Sequence, residues 1–154
     1  MKGLEIKKHG RGHQVFYKGE KCKLIGSGIS RKVYKTPCEK LVLKLEPEES
    51  EYSLQSYNEY RNFLRLKKKG INSIASTRKP VVVGDFIVVV QEYIKGDRLS
   101  KWFRTKEGEK LRAGYQRVRA TMHRYGISDI HNQNVIFDEV NDRLVVIDLG
   151  DGVL

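Results

Sequence analysis

Asp129-Ile-His-Asn-Gln-Asn134, followed 14 residues after Asn134 by Ile147-Asp148-Leu149-Gly150, is the most chemically loaded stretch of this sequence. An acid, an amide and a second acid are spaced so that they can converge. Asp129 and Asn134 bracket one loop. Asn134 to Asp138 and Arg143 to Leu149 read as two strands around the turn Glu139-Val140-Asn141-Asp142. Asp148 then returns to the mouth of the hairpin where Asn134 begins. Oxygen ligands of this kind suit Mg²⁺, which keeps several waters and shares phosphate oxygens. The competing explanation is local, because Asp and Asn are also ordinary turn and cap residues.

Upstream of that loop the apolar pattern changes type. Leu111, Tyr115, Val118, Met122 and Tyr125 step by four, three, four and three, which predicts an amphipathic helix ending at Gly126. A short helix is expected from about Leu99 to Arg104, carrying Trp102 and Phe103 as packing residues. Before it, Ile94-Lys95-Gly96-Asp97 is a polar break suited to a hinge. Val81 to Val83 and Phe86 to Tyr93, joined through Gly84-Asp85, predict a very apolar hairpin that forms a central, buried pair.

Glu48 to Lys69 reads as a helix. Its apolar stripe is Leu54, Tyr57, Phe63 and Leu64, its first turn holds Glu49 and Glu51, and its end holds Arg65, Lys67, Lys68 and Lys69. Ahead of it, Gln14 to Lys18, Lys21 to Gly26, Lys32 to Lys35 and Lys40 to Glu46 predict a meander of short strands.

Two features of that meander carry chemistry. Leu24 to Tyr34 reads LIGSGISRKVY, with Gly26 and Gly28 between two strands, where bare backbone either closes over phosphates or makes a turn that needs positive φ. Lys44 lies 18 residues after Gly26 in the apolar run LVLKL. A lysine there either meets an anionic partner or points outward from an alternating strand. Glu59, 15 residues further on, is its natural countercharge if the helix turns it inward, and a solvated acid otherwise.

The chain's 154 residues fit one compact domain or two small lobes sharing a cleft, and 39% hydrophobic with 32% charged residues argues for a folded globule. No apolar run approaches the roughly 18 residues of a membrane helix, and residues 1–13 lack the apolar core of a secretory signal. A membrane partner is therefore not expected, and the cytoplasm is the expected compartment, or a host's cytoplasm for a phage or effector protein. Cys22 and Cys38 are too few for a zinc site or disulfide framework and read as structural thiols. His9, His13 and His123 have no metal-ligand spacing. The net charge of +11 raises nucleic acid as a partner. Its distribution argues against that: residues 1–44 hold twelve basic and three acidic residues, whereas 46–59 hold five Glu and no base. A broad, solvated basic surface fits better, and attraction to ATP or an acidic partner also fits.

Taken in order, a glycine loop, a strand lysine, a helix glutamate, a D-x-x-x-x-N loop and a D-x-G resemble the protein kinases over about residues 20–152. Gln91-Glu92-Tyr93-Ile94 resembles the hinge whose backbone binds adenine, while residues 1–19 have no counterpart. The resemblance implies an α+β, protein-kinase-like bilobal fold. Residues 1–93 would form an antiparallel β-sheet lobe with one helix at about 48–69, and 94–154 a truncated, mostly helical lobe with the catalytic hairpin. It also implies an ATP- and Mg²⁺-dependent phosphotransferase, a serine/threonine-protein kinase with a protein acceptor. Gly26, Ser27, Gly28 and Val33 would cover the nucleotide, and Lys44, paired with Glu59, would hold its α- and β-phosphates. The backbone of Glu92 and Ile94 would anchor the base, Asp129 would position the acceptor hydroxyl, and Asn134 and Asp148 would bind the magnesium ions.

Departures from the family pattern accompany these matches. The third loop glycine is replaced by Arg31 or a neighbour, and Ile127-Ser128 stand where protein kinases carry His-Arg, so regulation through a phosphorylated activation loop is not expected. His131 replaces the usual lysine and is similar to the Asp-x-His-x-x-Asn of small-molecule phosphotransferases such as aminoglycoside and choline kinases. The sequence ends at Leu154, six residues past Asp148, without the activation segment and helical platform of the family. A minimal fold, or a piece of a longer one, is the expectation. A pseudokinase that binds nucleotide without transfer is the remaining alternative.

Overall fold

The computed structural model describes residues 1–28, 30–49, 55–128 and 130–150. Its elements divide into two compact units. The first comprises Met1–Tyr57 with Thr77–Tyr93, and the second Asn58–Ser76 with Ile94–Leu154.

Among the described residues the first unit holds eight strands: β1 (Leu4–His9), β2 (Gly12–Tyr17), β3 (Glu20–Lys21), β4 (Lys23–Ser27), β5 (Lys32–Lys35), β6 (Leu41–Pro47), β7 (Val81–Val83) and β8 (Phe86–Glu92). Five of them form an antiparallel sheet in the order β4-β5-β6-β8-β7. Ile87 to Gln91 are all buried, as a strand covered on both faces requires. The β7–β8 hairpin forms as expected, but only β8 is central. β6 pairs with the other edge of β8 from Leu41↔Glu92 to Pro47↔Phe86, which leaves β7 at the rim with Val82 51% exposed.

The N-terminal strands were only partly anticipated. β1 had no period-2 signal strong enough to mark it, yet it pairs with β2 over its full length and β2 continues into β3. Leu4 and Val15 from this small sheet, with Cys22 just after it, join Tyr34, Leu43, Leu45, Val88 and Val90 in one apolar cluster. Each such side chain taken fully out of water contributes about 1.5–3 kcal/mol. Residues 1–19 thus contribute to covering one face of the larger sheet.

The helix α1 (Gln55–Lys68) starts in the first unit and runs for most of its length in the second. Its buried face is offset from the expected stripe. Ser56, Glu59, Asn62, Phe63 and Leu66 are buried, whereas Tyr57 and Leu64 are 44% and 46% exposed. The spacing of the buried set is a helical period of its own, and its first three members are polar. Leu54, with Glu51, lies outside the described residues. Glu49 sits exposed in a turn, and it is Glu46 that meets the helix start: its Oε1 accepts the Ser56 N–H at 3.3 Å.

The second unit packs α1 with α2 (Leu99–Trp102), a 3-10 turn (Glu107–Leu111) and α3 (Arg112–Arg124) against a three-stranded sheet. That sheet runs β11-β10-β9, with β9 (Asp97–Arg98), β10 (Val135–Asp138) and β11 (Arg143–Val146). Phe63, Leu66, Leu99, Tyr115, Met122, Ile127, Val135 and Leu149 are core members, and Trp102 meets Phe137 edge to face at 5.4 Å. Gly96 is demanded by this packing: a Cβ there would lie 2.3 Å from the Phe137 carbonyl oxygen. The fold is therefore mixed α+β with antiparallel sheets. No helix among the described residues is long and apolar enough to cross a membrane.

Candidate functional site

In the first unit, strand register lines up residues that sequence spacing alone could only suggest. Gly26 pairs with Val33, Val33 with Lys44, and Lys44 with Val89, one row across four strands. A β-bulge makes the row. The register jumps from Leu24↔Tyr34 to Gly26↔Val33, so Ile25 is the extra residue and glycine, not isoleucine, faces Val33. Beyond it, Ser27 pairs with Lys32 and the Gly28 N–H donates to the Arg31 carbonyl at 2.8 Å, closing a tight turn.

Neither Gly26 nor Gly28 has a left-handed φ. A Cβ on Gly26 would meet Val33 at 3.7 Å and one on Gly28 the Arg31 carbonyl at 3.7 Å, both ordinary contacts. Neither position therefore needs glycine for its own backbone.

Lys44 is 4% exposed, so it is not an outward residue of an alternating strand. Glu46 and Gln91, 0% and 2% exposed, share its face of the sheet, with Gln91 Nε2 donating to Thr77 Oγ1 at 3.0 Å. Glu92 is half-buried opposite Leu41, and the Tyr93 N–H donates to the Lys40 carbonyl at 2.8 Å. The chain passes into the second unit after Tyr93. Ile94 is buried there among Ala75, Ile136 and Val145.

In the second unit Glu59 is fully buried, which removes the solvated alternative for it too. One turn on, Asn62 Nδ2 donates to the Leu149 carbonyl at 2.8 Å and ties α1 to the segment that carries Asp148. The β10–β11 register, Val135↔Val146, continues into a bond from the Ile147 N–H to the Asn134 carbonyl at 2.9 Å. Asn134 and Asp148 therefore emerge at the same open end of one hairpin. Asp148 is half-buried, and its Oδ1 accepts the Gly150 N–H at 3.0 Å, which fixes the direction of the carboxylate.

The loop before Asn134 is held by its apolar members. Ile127 and Ile130 are buried, the Ile130 carbonyl accepts the Tyr115 hydroxyl at 3.1 Å, and the Ser100 N–H donates to the Asn132 carbonyl at 3.1 Å. His131 is exposed, and its carbonyl accepts the Asn134 N–H at 2.9 Å. Asp129, the expected catalytic acid, lies outside the described residues.

Among the described residues no three His, Cys, Asp or Glu side chains gather as a metal site. The amide of Asn134 and carboxylate of Asp148 make a smaller, all-oxygen set. Its chemistry fits magnesium, which takes one or two protein ligands and completes its shell with water and phosphate. Asn62 and Glu46 were missed in the sequence. Their signal was polarity at buried periodicity: Asn62 is three residues beyond Glu59 on the helix, and Glu46 two beyond Lys44 on the strand.

Burial raises the Tyr115 phenol that donates to Ile130. Hydrogen bonds from the Asn141 amide, aided by Arg143, hold the Asp138 carboxyl below the usual carboxylate range. The Thr36 hydroxyl and the Lys40 N–H lower the Cys38 thiol, while burial raises Cys22. Cys22 is buried and Cys38 exposed, both as free thiols. Compared with known proteins, the chain matches no family model and no curated sequence.

Proposed function

We propose that this protein is an ATP- and magnesium-dependent phosphotransferase that transfers the γ-phosphoryl group to a serine or threonine hydroxyl of a protein. The row Gly26–Val33–Lys44, with the lysine 4% exposed in an apolar strand, is the observation that carries the reading. A buried ammonium is costly unless it serves a partner or ligand. Two glycines that the backbone itself does not require stand at the head of the same hairpin.

In this reading Lys44 binds the α- and β-phosphates and Glu59 holds the lysine's charge in place. Gly26, Ser27 and Gly28 lie over the phosphates, Val33 packs on the base, and the main chain of Glu92 and Ile94 hydrogen-bonds its edge. Asp129 accepts the proton of the acceptor hydroxyl as the oxygen attacks phosphorus and the bond to ADP breaks. Asn134 and Asp148 would hold magnesium, which would supply neutralisation of phosphate charge. Asn62, through Leu149, keeps Asp148 in position. Catalysis is positioning and charge neutralisation rather than covalent chemistry.

His131, exposed on the loop, favours a second reading with a small-molecule acceptor. Both are tested by magnesium-dependent transfer from γ-labelled ATP, comparing wild type with Asp148→Asn, with cell lysate as one acceptor and a metabolite panel as the other. Thermal-shift binding of ATP serves as the control. Label on a protein band with wild type alone supports the first reading, and label on a metabolite the second. ATP binding without transfer points to a pseudokinase, and no ATP binding overturns the proposal.

A further inference from the structure

Residues 1–19 are not used by the proposed activity, yet their hairpin walls a cavity of about 440 Å³ that lies wholly within the first unit. The β1–β2 hairpin gives Arg11 and His13, the end of β4 gives Ser27 and Gly28, which the proposed nucleotide site also uses, β5 gives Lys32, β6 Leu45, and the β7–β8 turn Asp85 with Phe86. The cavity is on the face of the sheet opposite Lys44. Lys32 pairs with Leu45 and Leu45 with Val88, a row one residue out of phase with Val33, Lys44 and Val89, so its side chains point the other way.

The lining has two chemical parts. One is flat and apolar: Leu45 is buried, and the Phe86 ring stands edge to face with His13, centroids 4.9 Å apart at 81°. The other is cationic. Arg11 and Lys32 are exposed, neither has an ion-pair partner among the described residues, and Asp85 is the one carboxylate in the lining. A guanidinium offers a planar fork of donors that matches phosphate oxygens, and an ammonium adds a point charge. The volume falls within the roughly 300–1,000 Å³ of small-molecule sites.

We propose that this cavity is a second ligand site, separate from the Lys44 row, for a small phosphate-bearing aromatic molecule of the mononucleotide class. Its phosphate lies between Arg11 and Lys32 and its ring against Phe86. Five chain segments enclose a volume that suits one small molecule.

The test is an amide-resolved NMR titration of the whole chain with AMP, and separately with inorganic phosphate. AMP is expected to move the signals of Arg11, His13, Lys32 and Phe86. Arg11→Ala and Lys32→Ala each weaken AMP by about tenfold, the cost of one charge-assisted hydrogen bond. Phe86→Leu leaves phosphate binding and removes the advantage of AMP over phosphate. Lys44→Ala leaves the AMP-induced shifts of Arg11, His13, Lys32 and Phe86 unchanged, so loss of the phosphotransferase reading does not touch this one. AMP signals confined to the Lys44 row, a response that survives Arg11→Ala and Lys32→Ala, or phosphate binding as tight as AMP would overturn the site.

Discussion

The two faces of the five-stranded sheet are cut from the same strands and differ in what they bury. One carries Tyr34, Leu43, Leu45, Val88 and Val90, all apolar or aromatic and buried in a single cluster. The other mixes Val42, Ile87 and Val89 with Lys44, Glu46 and Gln91, the polar three as buried as the rest at 4%, 0% and 2% exposure. A sheet selected only for stability would be apolar on both sides, since each buried charge costs more than a well-packed hydrophobic residue. In the proposed reading the mixed face is where the strands hold chemistry, and the apolar face is what holds the strands.

The sharpest way to break that contrast is Lys44→Met. It should reduce phosphoryl transfer about a hundredfold or more, as loss of a preorganised charge does, and lower the melting temperature without unfolding the chain, because the buried acid proposed to pair with it is left without a countercharge. Parallel turnover and thermal melts check it, and an unfolded variant would make Lys44 structural after all. Leu45→Ala is the mirror experiment. Denaturant titration should show a loss of about 2–4 kcal/mol from the cavity left behind. At temperatures where the variant is folded, transfer should persist.

Gly26→Ala separates ligand from backbone. Its Cβ meets only Val33 at 3.7 Å, so stability should be unchanged or gain up to about 1 kcal/mol from a stiffer unfolded chain, while KM for ATP rises. Equal loss of stability and KM would return glycine to a folding role.

The smallest effect lies in the β10–β11 turn, a polar site with a structural job. The Asp138 carboxyl is held below the ordinary range, so its contribution is present above the unfolded value of 3.8 and lost as pH falls through the folded value. Asp138→Asn should be destabilised at neutral pH, and the gap to wild type should close in acid. A gap independent of pH would refute the ionised partner.

Much of the element pattern was legible because it is local. The period of Tyr115, Val118 and Met122, the Gly84-Asp85 turn and the run Val135 to Asp138 each declare a helix, a hairpin or a strand from neighbours alone. β1 was not legible, because Glu5, Lys7 and Lys8 leave too few apolar positions to show alternation and its partner is what orders it. The α1 stripe was misread by one position. Tyr57 and Leu64 are apolar but exposed, and Ser56, Glu59 and Asn62 are polar but buried, a reversal that only the surroundings of the helix can impose.

The candidate site divides in the same way. The sequence by itself determined the residues and their order: Gly26, Gly28, Lys44, Glu59, Asn134 and Asp148, with an acid at Asp129. Tertiary structure decided which alternatives hold. The bulge at Ile25 sets Gly26 rather than its neighbour in the row of Lys44, and pairing of β6 with β5 and β8 turns that lysine inward. The bond from Asn62 to Leu149 joins residues 87 apart. Register, burial and long-range hydrogen bonds belong to pairs of segments rather than to either one, so no single stretch of sequence contains them.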